Sequence, residues 1–123
     1  MGRIAAVLVA VGWLGAGAAS AQQSTPSLGS FGELMAMCAD DAGQESVQFC
    51  RGYITGAGQL YQQLVRGGEI SPWVCADPVP TLDEARAAIV NWAGANPASA
   101  AERPIDGLWR AAAAIWPCPN PGE

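Results

Sequence analysis

Residues 45–66 read ESVQFCRGYITGAGQLYQQLVR. Val47, Cys50, Ile54, Ala57, Leu60, Tyr61 and Leu64 recur at intervals of three and four, the period at which side chains return to one face of an α-helix. Gly67-Gly68 then ends the pattern, as glycine commonly does just past a helix C-terminus. The stretch is too long for a strand, and no other run alternates with period two, so the predicted fold class is all-α. Gly52 and Gly56 lie one turn apart within it. Each costs about 1 kcal/mol against alanine in a helix interior. Close approach by a neighbouring helix would offset that cost, so both are expected to be helix-packing positions.

Working outward, Ser30 can cap a short helix over residues 31–37, with Glu33 in the first turn, where the helix dipole favours an anion. Cys38 closes that helix, and Asp40, Asp41 and Gly43 form the turn into the long one. On the other side, residues 69–80 are a loop with Pro72, Pro78 and Pro80, carrying Trp73 and Cys75. Thr81-Leu82-Asp83-Glu84 has the pattern of a capping box. A third helix therefore starts at Leu82 and runs through Ala85, Ile89 and Trp92 until Asn96-Pro97 stops it. A last helix begins near Pro104 and carries Leu108, Trp109, Ala112 and Ile115 before Pro117. The expected architecture is a compact four-helix domain over residues 30–118, stapled by two disulfides and followed by a tail over residues 119–123.

Upstream, residues 1–21 read as a secretory signal: Arg3, an apolar run over residues 4–19, and the small-x-small site Ala19-Ser20-Ala21. The run is diluted by Gly12, Gly15 and Gly17 and is short for a membrane span, which needs about 20 apolar residues. Cleavage would leave Gln22 first, opening a polar leader over residues 22–29 that is expected to be disordered. Removing 21 of the 123 residues leaves 102, enough for one domain. That mature chain has five arginines against eleven acids, a net charge of −6. It should repel nucleic acid and anionic lipid and favour a basic partner.

Catalytic patterns are missing. The chain has no histidine, which excludes Cys-His and Ser-His-Asp nucleophiles. It has no CxxC pair, and its glycines sit inside a helix instead of forming a phosphate loop, so no enzyme, metal or cofactor is expected. Asp40-Asp41 and Asp83-Glu84 have structural explanations as a turn and a helix N-terminus. Cys38, Cys50, Cys75 and Cys118 all lie beyond the export signal, so oxidised thiols are expected outside the cytoplasm. Four cysteines allow three connectivities. An antiparallel helical hairpin favours Cys38 with Cys50, leaving Cys75 to tie the middle of the chain to Cys118.

Leu34 with Cys38, the segment Phe49-Cys50-Arg51-Gly52-Tyr53-Ile54-Thr55-Gly56, Val74-Cys75 and Trp116-Pro117-Cys118 together resemble the Rap/Tai family of immunity proteins. The likeness covers roughly residues 31–118. It departs from the family pattern at Cys75-Ala76-Asp77-Pro78, where the proline comes one residue late. The resemblance implies a periplasmic all-α protein, often a homodimer, that binds and inhibits a cell-wall amidase toxin delivered by type VI secretion. The acidic charge noted above implies no nucleic-acid partner, and the cleavable signal implies no membrane attachment once it is removed. Two other classes stay open: a small periplasmic chaperone or stress protein, and an envelope adaptor protein. As an inhibitor's contact surface, the loop offers Glu69, Trp73 and Asp77, an aromatic anchor between two acids. Trp73 has a second reading, in which it folds back onto the helical core beside the disulfide.

Overall fold

The computed structural model of the protein describes Gly17 and residues 28–120. The expected helices follow in order: α1 (Phe31–Cys38), α2 (Gln44–Arg66), α3 (Leu82–Ala95) and α4 (Pro104–Ile115). A 3-10 helix, Pro97–Ala101, joins α3 to α4 and was not foreseen. The described residues contain no β-strand, and Val74 forms only an isolated antiparallel bridge with Pro117. The signal over residues 1–21 lies outside the described residues apart from Gly17, as do residues 22–27 of the leader and the last three of the tail.

Local chemistry sets where α1 and α3 begin. The Ser30 hydroxyl accepts from the Glu33 amide at 3.2 Å, while the Glu33 carboxylate accepts from the amides of Ser30 and Gly29 at 3.2 and 2.7 Å. This is a complete capping box, of which the sequence had suggested only the serine half. It also corrects the domain boundary. Gly29 is hydrogen-bonded to α1 and Leu28 packs against the core, so these two residues belong to the fold and not to a disordered leader. At α3, the Thr81 amide donates to Glu84 at 2.7 Å and the Thr81 hydroxyl accepts from the Glu84 amide at 3.2 Å. The bonds from the Thr81 backbone, then from its side chain, hold the Glu84 carboxyl below the ordinary glutamate range. Helix α2 closes on Gly67 and on Gly68, whose φ of +72° lies in the left-handed region that favours glycine.

The short helix α1 is the centre of the molecule. Phe31, Leu34, Met35 and Cys38 are all buried, and α1 packs against α2, α3, the 3-10 helix and α4. Cys38 is bonded to Cys50 of α2, both fully buried, with their Cα atoms 5.2 Å apart. Cys75 is bonded to Cys118 with a Cα separation of 4.7 Å, which completes the expected pairing. Arg86 of α3, 12% exposed, reaches the other end of α1: its guanidinium donates to the Cys38 carbonyl at 2.5 Å and to Asp40 at 2.8 Å. A carbonyl left without an intrahelical partner thereby gains a charged donor.

The glycine reading needs correction. Gly52 and Gly56 are exposed, and a Cβ added at either would meet nothing within 4 Å, so neither packs against another of the described helices. Leu60, placed in the core by its periodicity, is 57% exposed on the same helix. Close approach instead occurs at Gly107 of α4, where an added Cβ would lie 2.2 Å from Cγ of Phe31. That ring is fully buried and has no room to withdraw. Gly107→Ala should therefore overpack the core and destabilise the protein by about 1–3 kcal/mol. Gly94→Ala on α3, where an added Cβ meets open space, should stabilise it by up to about 1 kcal/mol. Denaturant unfolding of the two variants checks both signs.

Candidate functional site

The loop between α2 and α3 is pinned at three points, each traceable to a particular side chain. Tyr61, one turn from the buried Ala57 on α2, turns its phenol oxygen toward the loop. That oxygen accepts from the amides of Trp73 and Val74, both at 2.9 Å, and lies 3.3 Å from the Val74 carbonyl, to which its proton is donated. Two loop amides thus gain the partner that no strand supplies. The Cys75 amide donates to the Trp116 carbonyl at 2.8 Å, alongside the Val74 bridge to Pro117 and the Cys75–Cys118 disulfide. Rings form the third attachment. Trp73 stands edge-on to Tyr61 at 5.0 Å and to Trp109 of α4 at 6.1 Å, and Tyr61 lies 5.4 Å from Trp109.

Trp73 therefore folds back onto the helices, while 38% of it stays exposed. Glu69 lies exposed in the turn after α2, and Asp77 lies exposed just before Pro78, across a cis peptide bond. The three residues share one loop, but no hydrogen bond or ion pair joins either acid to another side chain among the described residues. Four of the described arginines are committed elsewhere, Arg51 to Asp83, Arg86 to Asp40 and Asp83, Arg103 to Asp106 and Arg110 to Glu102, while Arg66 at the end of α2 makes no ion pair with a described acid. The loop consequently carries two acids that have no ion-pair partner among the described residues.

Sequence reasoning missed two features here. Val79, 83% exposed, is an apolar side chain held at the edge of the loop by prolines on either side. Beside it runs an apolar groove of about 290 Å³, walled by Ile54 and Ala57 of α2, Val79 of the loop, Ala85 and Ile89 of α3, and Trp109 of α4. No local pattern announces the groove because four separate segments build it. The tyrosine offered a weak sign, since a phenol on an apolar helix face needs a partner for its hydroxyl.

The arrangement suits binding. The Tyr53 phenol has its pKa raised, by burial first and then by the charge of Asp106, which makes it a poorer nucleophile. Among the described residues, no group of three histidine, cysteine or carboxylate side chains could hold a metal ion. Among them too, no helix is long and apolar enough to cross a membrane.

The pinning can be tested without a partner. Tyr61→Phe leaves the Trp73 and Val74 amides without their acceptor and should cost about 1–3 kcal/mol. Trp73→Ala removes a partly exposed ring from the cluster and should cost about 2 kcal/mol, less than the loss of a fully buried tryptophan. Thermal melting of both variants measures these losses, and a Trp73→Ala melt that matches wild type would free Trp73 from any structural role.

The family model for Rap1a immunity proteins matches residues 30–118. No curated protein and no solved structure was found to match the chain. The matched span takes in all four helices, both disulfides and the pinned acidic loop, and the chain belongs to the Rap1a immunity protein family.

Proposed function

We propose that this chain is exported through a cleaved signal over residues 1–21 and acts in the periplasm. There it binds and inhibits a peptidoglycan amidase effector delivered by type VI secretion. Family membership over residues 30–118 carries this reading. The loop supplies a physical basis for inhibition by binding. An inhibitor that enters a concave active site loses least entropy when its contact segment is already ordered, and this one is held by Tyr61, a disulfide and a ring cluster. Glu69 and Asp77 supply the charge that attracts a basic surface, and Trp73 keeps an exposed ring between them.

The experiment is an inhibition assay with the mature protein and a type VI amidase effector from the same genome, using purified peptidoglycan as substrate. Wild type should abolish hydrolysis. Reversing both loop acids, Glu69→Lys with Asp77→Lys, should slow association by about tenfold at low salt and much less at high salt. Full amidase activity in the presence of excess wild-type protein would defeat the reading, and retention of reduced, unfolded client proteins in its place would favour a chaperone.

A second copy of the chain is the further partner we infer, seated on the outer face of α2. Gly52 and Gly56 are exposed there, and among the described residues nothing lies within 4 Å of a Cβ added at either. Their helical cost therefore has no compensation within one molecule. Gly56→Leu should leave the domain folded and shift the protein from dimer to monomer in analytical ultracentrifugation. A wild type that sediments as a monomer at high concentration removes this role from the face.

A further inference from the structure

We infer that the groove between α2, the loop, α3 and α4 is a receptor for one apolar side chain of a protein partner, and that basic residues flank that side chain in the partner. The inference rests on the reading above, in that the partner is taken to be the inhibited toxin. It adds a second kind of contact, in which this chain receives a side chain as well as presenting its loop.

The size of the groove restricts its occupant. At about 290 Å³ it sits at the lower edge of the range for sites that enclose a drug-sized ligand, which matches one or two side chains better than a cofactor. Its chemistry restricts the occupant further. Ile54, Ala57, Ala85, Ile89, Leu108 and Trp109 present carbon, the Tyr61 hydroxyl already has three backbone contacts, and the exposed Gln62 is the one amide side chain on the wall. An inserted polar group would lose water against a wall that is mostly carbon, with only the Gln62 amide at its exposed edge to replace it, so the inserted group is apolar.

Charge identifies what surrounds it. Asp77 lies between two groove-lining residues of the loop, Ala76 and Val79, and Glu69 opens the same loop. Neither acid has an ion-pair partner among the described residues, whereas Arg51, Arg86, Arg103 and Arg110 are all paired with other acids. The remaining described arginine, Arg66, ends α2, where a cation is favoured by the helix dipole. A partner with an aliphatic side chain between arginines or lysines would fill the groove and neutralise its lip in one contact. An acidic partner would meet repulsion at the same lip.

Gly58 provides the means of closing the site. It lines the groove, and a Cβ added there meets nothing within 4 Å, so Gly58→Leu adds apolar bulk at the groove wall with no clash at the Cβ. Val79→Arg is the second variant. That position is 83% exposed, so the fold tolerates the change while the lip acquires repulsive charge. Gly94→Leu, on open α3 surface away from the groove, is the control.

The test uses the ¹⁵N-labelled mature protein titrated with N-acetyl-Arg-Leu-Arg-amide, and with the Arg-Ser-Arg and Glu-Leu-Glu counterparts. The arginine–leucine peptide should shift the indole resonances of Trp109 and Trp116 and the amides of Ala76 and Ala85, and the other two should not. Those shifts should vanish in Gly58→Leu and Val79→Arg and persist in Gly94→Leu. Equal shifts from Arg-Ser-Arg, or shifts that survive Gly58→Leu, overturn the inference. Against the amidase, Gly58→Leu should raise the concentration needed for inhibition by about tenfold or more, with Gly94→Leu unchanged. Inhibition undiminished in Gly58→Leu overturns the groove as the toxin's receptor while leaving the immunity reading intact. A wild type that fails to inhibit at all defeats the immunity reading, and the peptide titration then decides the groove alone.

Discussion

The fold depends on how completely an eight-residue helix is enclosed. Helix α1 buries Phe31, Leu34, Met35 and Cys38, and no other element gives up so large a share of its residues to the core. So short a helix is unstable alone, because nucleation costs more than a few hydrogen bonds return. Every other part of the domain serves to hold it. Its first turn is closed by Glu33 and by the Phe31 amide donating to the Glu102 carbonyl at 2.8 Å. Its last carbonyl receives Arg86, and its last side chain is bonded to α2. Phe31 lies over Gly107, where the missing side chain lets α4 come close.

That enclosure explains why the loop can be exposed and still be ordered. With the core assembled around α1, α2 extends beyond it, and its last turns carry Tyr61 out to where the loop returns. The phenol stands in for a neighbouring strand, supplying an acceptor to two consecutive residues. The Arg86 Nε illustrates the cost of such arrangements. It is buried with no hydrogen-bond partner, its nearest carboxylate oxygen being 3.7 Å away on Asp83, while the rest of the guanidinium is well satisfied.

Much of this architecture was readable from residue order alone, and the parts that were not share a physical cause. Helix starts are local: Thr81 and Glu84 announce a capping box because the bonds they make span three residues. For the cysteines, a hairpin of the first two helices favoured Cys38 with Cys50 among three connectivities and left Cys75 for Cys118, the pairing found. Glycine is harder, because its helical cost is the same whether it faces a neighbour or water. Gly52 and Gly56 were assigned to packing on that cost, yet they face outward. Gly107 carries the same helical cost in α4, yet it is the residue that Phe31 requires. Trp73 had two readings that composition could not separate, and only the positions of Tyr61 and Trp109 show it folded back. The groove was invisible for the same reason: its walls come from residues far apart in the chain.

The two disulfides occupy different environments, and this separates the chemistry of the core from that of the loop. Cys38 and Cys50 have no exposed surface, whereas Cys75 is exposed and Cys118 partly so. Thiol–disulfide exchange requires an attacking thiolate to reach a sulfur atom, so an external reductant meets the loop bridge directly and reaches the core bridge only when the domain opens. Reduction therefore proceeds in two stages, the first releasing the chain terminus and one tether of the loop while α1 stays enclosed. In a compartment of fluctuating redox poise, the order of the exposed loop becomes a reversible variable, and the integrity of the fold does not.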